Sequence, residues 1–196
     1  MASTSADRRQ QILDAAVRVF AERGYEATRV GDIASEAGVA YGLVYHYFAS
    51  KEAVLEAVFR EAWGRLLAAV VLAEETAGTA PERLELVVKI VLRAWRDDPN
   101  LVRLLVREVT RNPHIQDELD EIGQAFAALE RIIAGGQAEG TLRPTLDARL
   151  CAWMLYGALE EILTGWVLGR LPDDAEAVSA AEREVIETLV GGMRAD

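Results

Sequence analysis

The stretch from Thr28 to Lys51, TRVGDIASEAGVAYGLVYHYFASK, constrains the fold of this chain more than any other. Apolar residues recur at helical spacing in its first half, and Gly38 can adopt the left-handed conformation that ends a helix and redirects the chain. A second short helix follows, with one apolar side and one aromatic and polar side. The apolar side holds Val39, Val44 and Phe48, and the other holds Tyr41, Gly42, Tyr45, His46 and Tyr47. This layout predicts a helix-turn-helix whose second helix enters the major groove of DNA.

The outward side of that second helix supplies the candidate base contacts. We expect four residues near base edges or sugars: Tyr41, Gly42, Tyr45 and His46. Gly42 would let the backbone approach closely, and Tyr45 offers a ring together with a hydroxyl. The alternative for Tyr45 and Tyr47 is packing beneath the first helix, a role that Phe48 fits better.

The same stretch resembles the DNA-binding signature of the tetracycline-repressor (TetR) family. The matching positions are Thr28, Ile33, Ala34, Ala37, Gly38, Val39, Gly42, Tyr45, Tyr47, Phe48, Ser50, Lys51 and Glu52. So many matches within one window are far more specific than a lone glycine motif. The resemblance implies phosphate contacts by Thr28, Tyr47 and Lys51, which would set the register on DNA. Leu43 stands where the family often has Thr, so a base contact there would be apolar, for example with a thymine methyl group.

Composition and patterning predict an all-α protein. Hydrophobic residues make up 51% of the 196 residues, prolines number only 5, and strand-like alternation is nearly absent. The single cysteine, Cys151, excludes an intrachain disulfide framework. The N-terminus lacks the apolar core of a signal peptide, and two glutamates interrupt the longest apolar stretch, Leu150–Leu168. We therefore expect a soluble, cytoplasmic protein with no membrane partner.

The net charge of −11 argues against indiscriminate binding of nucleic acid, but its distribution weakens that objection. Residues 1–51 contain six basic and six acidic side chains, whereas residues 52–196 contain 15 basic and 26 acidic ones. A neutral N-terminal segment can still bind DNA through locally placed cations.

Start and stop signals predict about nine helices in two domains. An N-terminal three-helix helix-turn-helix head, residues 1–51, precedes a helical ligand-binding and dimerisation body, residues 52–196. Outside the helix-turn-helix, the first predicted helix spans about 7–23 and the fourth runs from Ser50 to about 75. The fifth starts at a Thr79–Glu82 capping box, the sixth at Pro99 and the seventh at Pro113, ending at Gly140. The eighth spans about 145–170, and the ninth runs from Asp173 or Asp174 to about 194.

The eighth predicted helix is apolar around most of its circumference, and such a helix must be buried on all sides. One small domain cannot easily provide that cover, which predicts a homodimer through helices eight and nine. This pairing is also the TetR family's arrangement, and it would place two heads one DNA turn apart. The alternative is the central helix of a monomer.

Three arginines recur every four residues on the sixth predicted helix: Arg103, Arg107 and Arg111. Guanidinium groups in a row suit a phosphate- or carboxylate-bearing ligand. The alternative is a solvated or subunit-bridging face.

An apolar effector cavity is the further expectation for the body. Its candidate lining residues are Trp95, Phe126, Trp153, Met154 and Tyr156, although each is individually more often a core residue. Glu160 and Glu161 break the apolar run of helix eight, so at least one should be substantially buried. Such a carboxylate could receive a cationic ligand, pair with an arginine or cross the dimer interface.

Catalysis finds little support in the sequence. The two histidines, His46 and His114, lie in different segments, and Cys151 sits in an apolar helix. No phosphate loop, dinucleotide fingerprint or metal-ligand spacing occurs, so we expect a non-enzyme without cofactor or metal.

The body is similar to the fatty-acid-degradation regulators of the TetR family (FadR-like) in Ala152–Leu168 and in Asn100–Pro113. That resemblance implies a repressor released from its double-stranded operator by long-chain acyl-CoA. The alternatives are a repressor sensing another hydrophobic or cationic drug-like compound, and a helical scaffold or enzyme that does not bind DNA.

Overall fold

The computed structural model describes residues 5–109 and 120–195. Its helices are α1 (Ser5–Arg23), α2 (Val30–Glu36), α3 (Tyr41–Tyr47), α4 (Lys51–Glu75), α5 (Ala80–Asp97), α6 (Pro99–Val109), α7 (Asp120–Ala138), α8 (Ala148–Val167), α9 (Ala175–Val185), a π-helical segment (Ile186–Val190) and α10 (Gly191–Met193). The last three form one run, which makes nine helical runs over these residues. Within the same ranges the only β-type pairing is an isolated antiparallel bridge between Leu142 and Arg194. The all-α prediction is confirmed, while the predicted helix start at Pro113 lies outside the described residues.

Backbone contacts divide the described chain into two compact units. The head unit contains residues 5–62 and 100–109, and the body unit contains residues 63–99 and 120–195. The head unit therefore extends past residue 51 into α4 and also includes most of α6. Over the described part of the chain, every helix is too short or too polar to serve as a membrane-spanning segment.

In the head unit, α1 packs against α2, and α2 packs against α3. The apolar side of α1 is buried as the sequence predicts, including Ile12 and Phe20. Gly38 has a φ of 64°, and the amide of Val39 donates to the carbonyl of Ala34 at 3.0 Å. The left-handed glycine lets the chain reverse sharply enough for α3 to start three residues later, at Tyr41.

In the body unit, α5 contacts α7, α8, α9 and the π-helical segment. The predicted capping box starts α5, because Glu82 Oε2 accepts from the Thr79 amide at 2.7 Å. Gly136 of α7 lies where a Cβ atom would come within 2.8 Å of Leu142 Cδ1. Close helix packing therefore explains this glycine.

Caps also fix the two C-terminal helices. Asp147 Oδ1 accepts from the Leu150 amide at 2.7 Å and starts α8 later than the predicted Thr145. Asp174 caps α9 by accepting from the amides of residues 176 and 177. Glu182 is buried in α9, and Arg93 of α5 donates from Nε and Nη2 to the two oxygens of this carboxylate at 2.9 and 3.0 Å.

Candidate nucleic-acid interface and effector-binding residues

The outward side of α3 is an exposed aromatic surface. Tyr41 is 56% exposed and Tyr45 is 45% exposed, and Gly42 and His46 are exposed beside them. The two tyrosine rings meet edge to face with centroids 5.2 Å apart, and their hydroxyls lie 3.3 Å apart. The hydrogen bond from Tyr41 is the main cause that raises the pKa of Tyr45. The predicted alternative, Tyr45 packed beneath α1, is not what the structure has.

The inward side of α3 anchors the helix. Val44 is 1% exposed, and Phe48, which directly follows α3, is also buried. The Arg9 guanidinium lies 5.3 Å from the centroid of the Phe48 ring, which ties α1 to the end of α3. Because these buried contacts anchor the inward side of α3, the aromatic surface on its outward side has a fixed orientation within the head unit.

Gly42 faces open space. A Cβ atom built at this residue would meet no atom of residues 5–109 or 120–195 within 4 Å, and its φ is not positive. Neither local packing nor backbone conformation therefore requires glycine at this position. A partner that approaches the backbone of α3 closely would require it.

Two further predicted contact residues, Leu43 and Tyr47, are half-buried at the margins of this surface. The Tyr47 hydroxyl lies 3.1 Å from Ser5 Oγ, and its ring lies 5.1 Å from that of His46. Tyr47 therefore links the start of α1 to the end of α3 and keeps its hydroxyl at the surface.

Lys51 fastens the first turn of α4 to the loop after α1. Its Nζ donates to the Tyr25 carbonyl at 2.8 Å and lies 4.1 Å from the centroid of the Tyr25 ring. The Tyr25 hydroxyl donates to Glu52 Oε1 at 2.9 Å. Burial is the main cause that raises the pKa of Tyr25, and the hydrogen bond to Glu52 is the next. The pKa of Glu52 is lowered by hydrogen bonds from the Glu52 backbone amide, from Ser50 and from Tyr25. This cluster positions the ammonium group of Lys51 beside the helix-turn-helix.

Thr28 occupies a different environment from the one expected of a phosphate contact. It is only 2% exposed, and its Oγ1 donates to the Gly24 carbonyl at 2.8 Å. A hydroxyl that has donated its proton cannot also donate to a phosphate oxygen. In this structure the Thr28 hydroxyl stabilises the loop before α2, and its contact with a phosphate stays a prediction.

A cleft of about 530 Å³ lies in the head unit between α1, α2 and the start of α6. Arg18, Arg103 and Arg107 line it together with Glu22, Glu36 and Asn100. Arg103 Nη1 donates to Asn100 Oδ1 at 3.2 Å, and Arg107 Nη1 donates to the Ala21 carbonyl at 3.4 Å. Two of the three predicted arginines therefore meet at one cleft, whereas Arg111 lies outside the described residues.

The body unit contains an aromatic cluster formed by Trp63, Phe126, Trp153 and Tyr156. Phe126 stacks on Trp153 with centroids 4.5 Å apart and meets Tyr156 at 4.7 Å, and Tyr156 lies 6.2 Å from Trp63. Sequence reasoning missed Trp63, because its spacing on α4 indicates only a core position. Its indole Nε1 is buried without a hydrogen-bond partner among the described residues, and only the structure reveals that.

Other predicted effector residues lie outside this cluster or at its rim. Trp95 is buried against Trp166, with ring centroids 6.1 Å apart, and is part of the core. Trp153 and Met154 are each 54% exposed on the outer side of α8. That side of α8 faces outward in the single subunit, so the place of these two residues in an effector cavity stays a prediction.

The two adjacent glutamates of α8 differ in burial. Glu160 is half-buried and Glu161 is exposed, so the expectation that one of them is substantially buried holds for Glu160. Burial, followed by the charge of Glu161, raises the pKa of Glu160. Burial, followed by the charge of Glu160, raises the pKa of Tyr156, which lies one helical turn earlier.

An exposed second helix, a left-handed turn glycine and a rigid three-helix support together define a helix-turn-helix DNA-binding regulator. The family model described as "Bacterial regulatory proteins, tetR family" matches residues 12–58, and that of "YsiA-like protein, C-terminal region" matches residues 59–191. The chain belongs to the tetR family of bacterial regulatory proteins.

Within this family the chain is similar to regulators of fatty acid metabolism. It is 34% identical to the fatty acid metabolism regulator protein of Bacillus subtilis (strain 168), over 93% of this chain and 94% of the relative. The structure of the fatty acid degradation regulator FadR from Bacillus halodurans matches with a TM-score of 0.85 and 30% identity, over 98% of this chain and 100% of that one. FadR from Bacillus subtilis in complex with stearoyl-CoA matches with a TM-score of 0.84 and 32% identity, over 94% and 99% of the two chains. The predicted resemblance to FadR-like regulators is confirmed.

Proposed function

We propose that the protein is a homodimeric cytoplasmic repressor that binds operator DNA through α3 of each subunit and releases it when long-chain acyl-CoA binds. It acts by binding and not by catalysis. The observation that carries the DNA-binding part is the outward surface of α3, where exposed tyrosines flank a glycine that no packing contact among the described residues requires.

In the proposed complex, the exposed surface of α3 lies in the major groove. Tyr41, Tyr45 and His46 contact base edges or sugars, and Leu43 makes an apolar contact at the margin. Tyr47 and Lys51 contact phosphates, because each presents a hydrogen-bond donor at the edge of the helix-turn-helix. Thr28 would have to exchange its hydrogen bond to the Gly24 carbonyl for one to a phosphate.

The proposed dimer forms through the outer side of α8, with α9 beside it. Leu150, Trp153 and Met154 are all more than half exposed, and their spacing together with Gly157 places them on one stripe of the helix. A continuous apolar stripe of this kind is typical of a protein–protein interface. A second copy of the same surface would bury it around a two-fold axis.

Long-chain acyl-CoA is the proposed effector, because a similar structure is of FadR in complex with stearoyl-CoA. Arg103 and Arg107 supply guanidinium groups suited to CoA phosphates, and Arg18 lines the same cleft. Phe126 and Tyr156 of the body unit supply apolar surface suited to an acyl chain.

The effector can release DNA only if it prefers a conformation that binds DNA poorly. Helix α4 is the proposed lever, since it continues from the head unit into the body unit. Its first residue, Lys51, is bonded to the loop after α1, so a shift of α4 would be transmitted to the helix-turn-helix.

Fluorescence anisotropy tests both parts. An operator duplex is first selected from a random pool with the full-length protein, and stearoyl-CoA is then titrated into the complex at fixed salt. We expect salt-dependent, sequence-selective binding, followed by release at micromolar ligand. Failure to select any duplex would refute the DNA-binding function.

The double substitution Arg103→Ala and Arg107→Ala tests the phosphate contacts. It should raise the ligand concentration needed for release by about 10-fold or more, because two charge-assisted bonds are lost. Arg170→Ala, an exposed arginine of the body unit, is the matched control and should behave as wild type. Unchanged release by the double variant would exclude these arginines from the effector site.

A further inference from the structure

The aromatic cluster of the body unit contains a hydrogen-bond donor that no described residue uses. Trp63 is only 9% exposed, and its Nε1 has no partner among the described residues. Buried polar groups are almost always hydrogen-bonded, so an exception needs an explanation. An indole nitrogen donates and cannot accept, which restricts its missing partner to an acceptor.

Tyr156, beside Trp63, and the residues near Tyr156 also restrict the chemistry of that acceptor. Tyr156 lies with its ring centroid 6.2 Å from that of Trp63 and meets Phe126 at 4.7 Å, so the neighbourhood is aromatic. Glu160 lies one helical turn after Tyr156 and is half-buried. Neither Glu160 nor Glu161 forms an ion pair within the part of the chain that the structure describes. A second carboxylate would therefore be repelled here, whereas an uncharged carbonyl would not.

We propose that Trp63 Nε1 donates a hydrogen bond to the carbonyl oxygen of the acyl thioester of the effector, and that Glu160 disfavours a free fatty acid in its place. This assignment rests on the proposed function, because it names the contact that recognises the reactive end of the acyl chain. Trp63 would then distinguish an acyl thioester from other compounds with an equally long alkyl chain.

The test compares two ligands that differ only in the carbonyl group. Stearoyl-CoA has a thioester, and S-octadecyl-CoA is a thioether with the same chain and the same nucleotide but no carbonyl oxygen. Isothermal titration with the full-length dimer should give a dissociation constant about 10-fold lower for stearoyl-CoA, equivalent to about 1.4 kcal/mol. The thioether leaves the indole donor buried and unpaired, whereas the thioester satisfies it.

Trp63→Phe completes a double-mutant cycle between protein and ligand. It keeps an aromatic ring but removes the donor, so the two ligands should bind the variant with equal affinity. A merely structural role for Trp63 would weaken both ligands by the same factor and leave their ratio unchanged. Trp95→Phe is the matched control at another buried tryptophan of the body unit and should retain the wild-type ratio.

Stearate tests the second part of the proposal. It should bind at least about 100-fold more weakly than stearoyl-CoA, and Glu160→Gln should strengthen stearate binding without changing the ratio of thioester to thioether. Equal binding of stearate and stearoyl-CoA to the wild type would overturn the role of Glu160.

The outcomes separate this inference from the proposed function. If both CoA ligands bind equally to the wild type, the Trp63 contact is wrong while the acyl-CoA effector stands. If neither CoA ligand binds, the proposed effector fails and the Trp63 contact fails with it.

Discussion

Replacing Gly42 with alanine separates the stability of the head unit from its affinity for DNA. The added methyl group would point into open space, since no atom in the described part of the chain lies within 4 Å of it. Alanine in place of a helical glycine typically stabilises by about 0.5–1 kcal/mol. For a chain of this size, that gain corresponds to a rise in melting temperature of about 1–4 °C.

The same methyl group should weaken DNA binding if the backbone of α3 lies against the groove. Forcing an extra methyl into a well-packed contact costs about 1–3 kcal/mol. The dissociation constant for the operator should therefore rise about 5- to 150-fold. Anisotropy with the selected duplex measures affinity, and circular dichroism on the same samples measures stability.

Gly64→Ala is the matched control for this prediction. Gly64 lies within α4, and a Cβ atom there also meets nothing within 4 Å. It should give a similar gain in stability with no change in affinity. If Gly42→Ala is stabilised and still binds the operator as the wild type does, α3 does not approach DNA at this residue, and the proposed docking is wrong.

Three further outcomes are expected. Tyr45→Ala should change the free energy of unfolding by no more than about 0.5 kcal/mol, because the ring is exposed, yet lower DNA affinity about 10-fold in the anisotropy assay. Leu150→Arg should convert the dimer to monomer in sedimentation velocity. Leu72→Arg, at an exposed position of α4, is the control and should leave the dimer intact. An unchanged mass for Leu150→Arg would exclude this side of α8 as the interface. A direct hydrogen bond from Arg131 lowers the pKa of Glu74 from its ordinary value of 4.5. The pair therefore stabilises the fold above pH 4.5, and this stabilisation is lost as pH falls through the lower, folded-state pKa. Glu74→Gln should therefore be less stable than the wild type at pH 7 by no more than about 1 kcal/mol, since the arginine is largely exposed, and the difference in urea denaturation should shrink as pH falls below 4.5 through the lower, folded-state pKa.

Features that depend on neighbouring residues in the sequence were predictable. The helix-turn-helix, the Thr79–Glu82 capping box and the start of α6 at Pro99 all follow from local spacing and backbone preferences. The start of α9 was predictable, because the Asp174 cap acts on amides two or three positions later. The start of α8 was predicted two residues early, at Thr145, whereas Asp147 caps this helix.

Features that depend on distant residues were not predictable. Thr28 matches the family signature whether its hydroxyl faces solvent or the Gly24 carbonyl. Only the folded loop decides which of these two directions the hydroxyl takes. The orphan donor of Trp63 is likewise invisible in the sequence. An unsatisfied hydrogen bond is a property of all the surrounding atoms, including Tyr156 far along the chain.

The sequence by itself determined the class of this protein, because the amphipathic pattern, the turn glycine and the capping residues act over one or two helical turns. Only the tertiary structure decided which candidate residues are available to a partner. It exposed Tyr41, Tyr45 and Gly42 and buried Thr28. It brought Arg103 and Arg107 against α1 in one cleft. Exposure and proximity arise from the packing of helices that are distant in the chain, and no local pattern of residues specifies them.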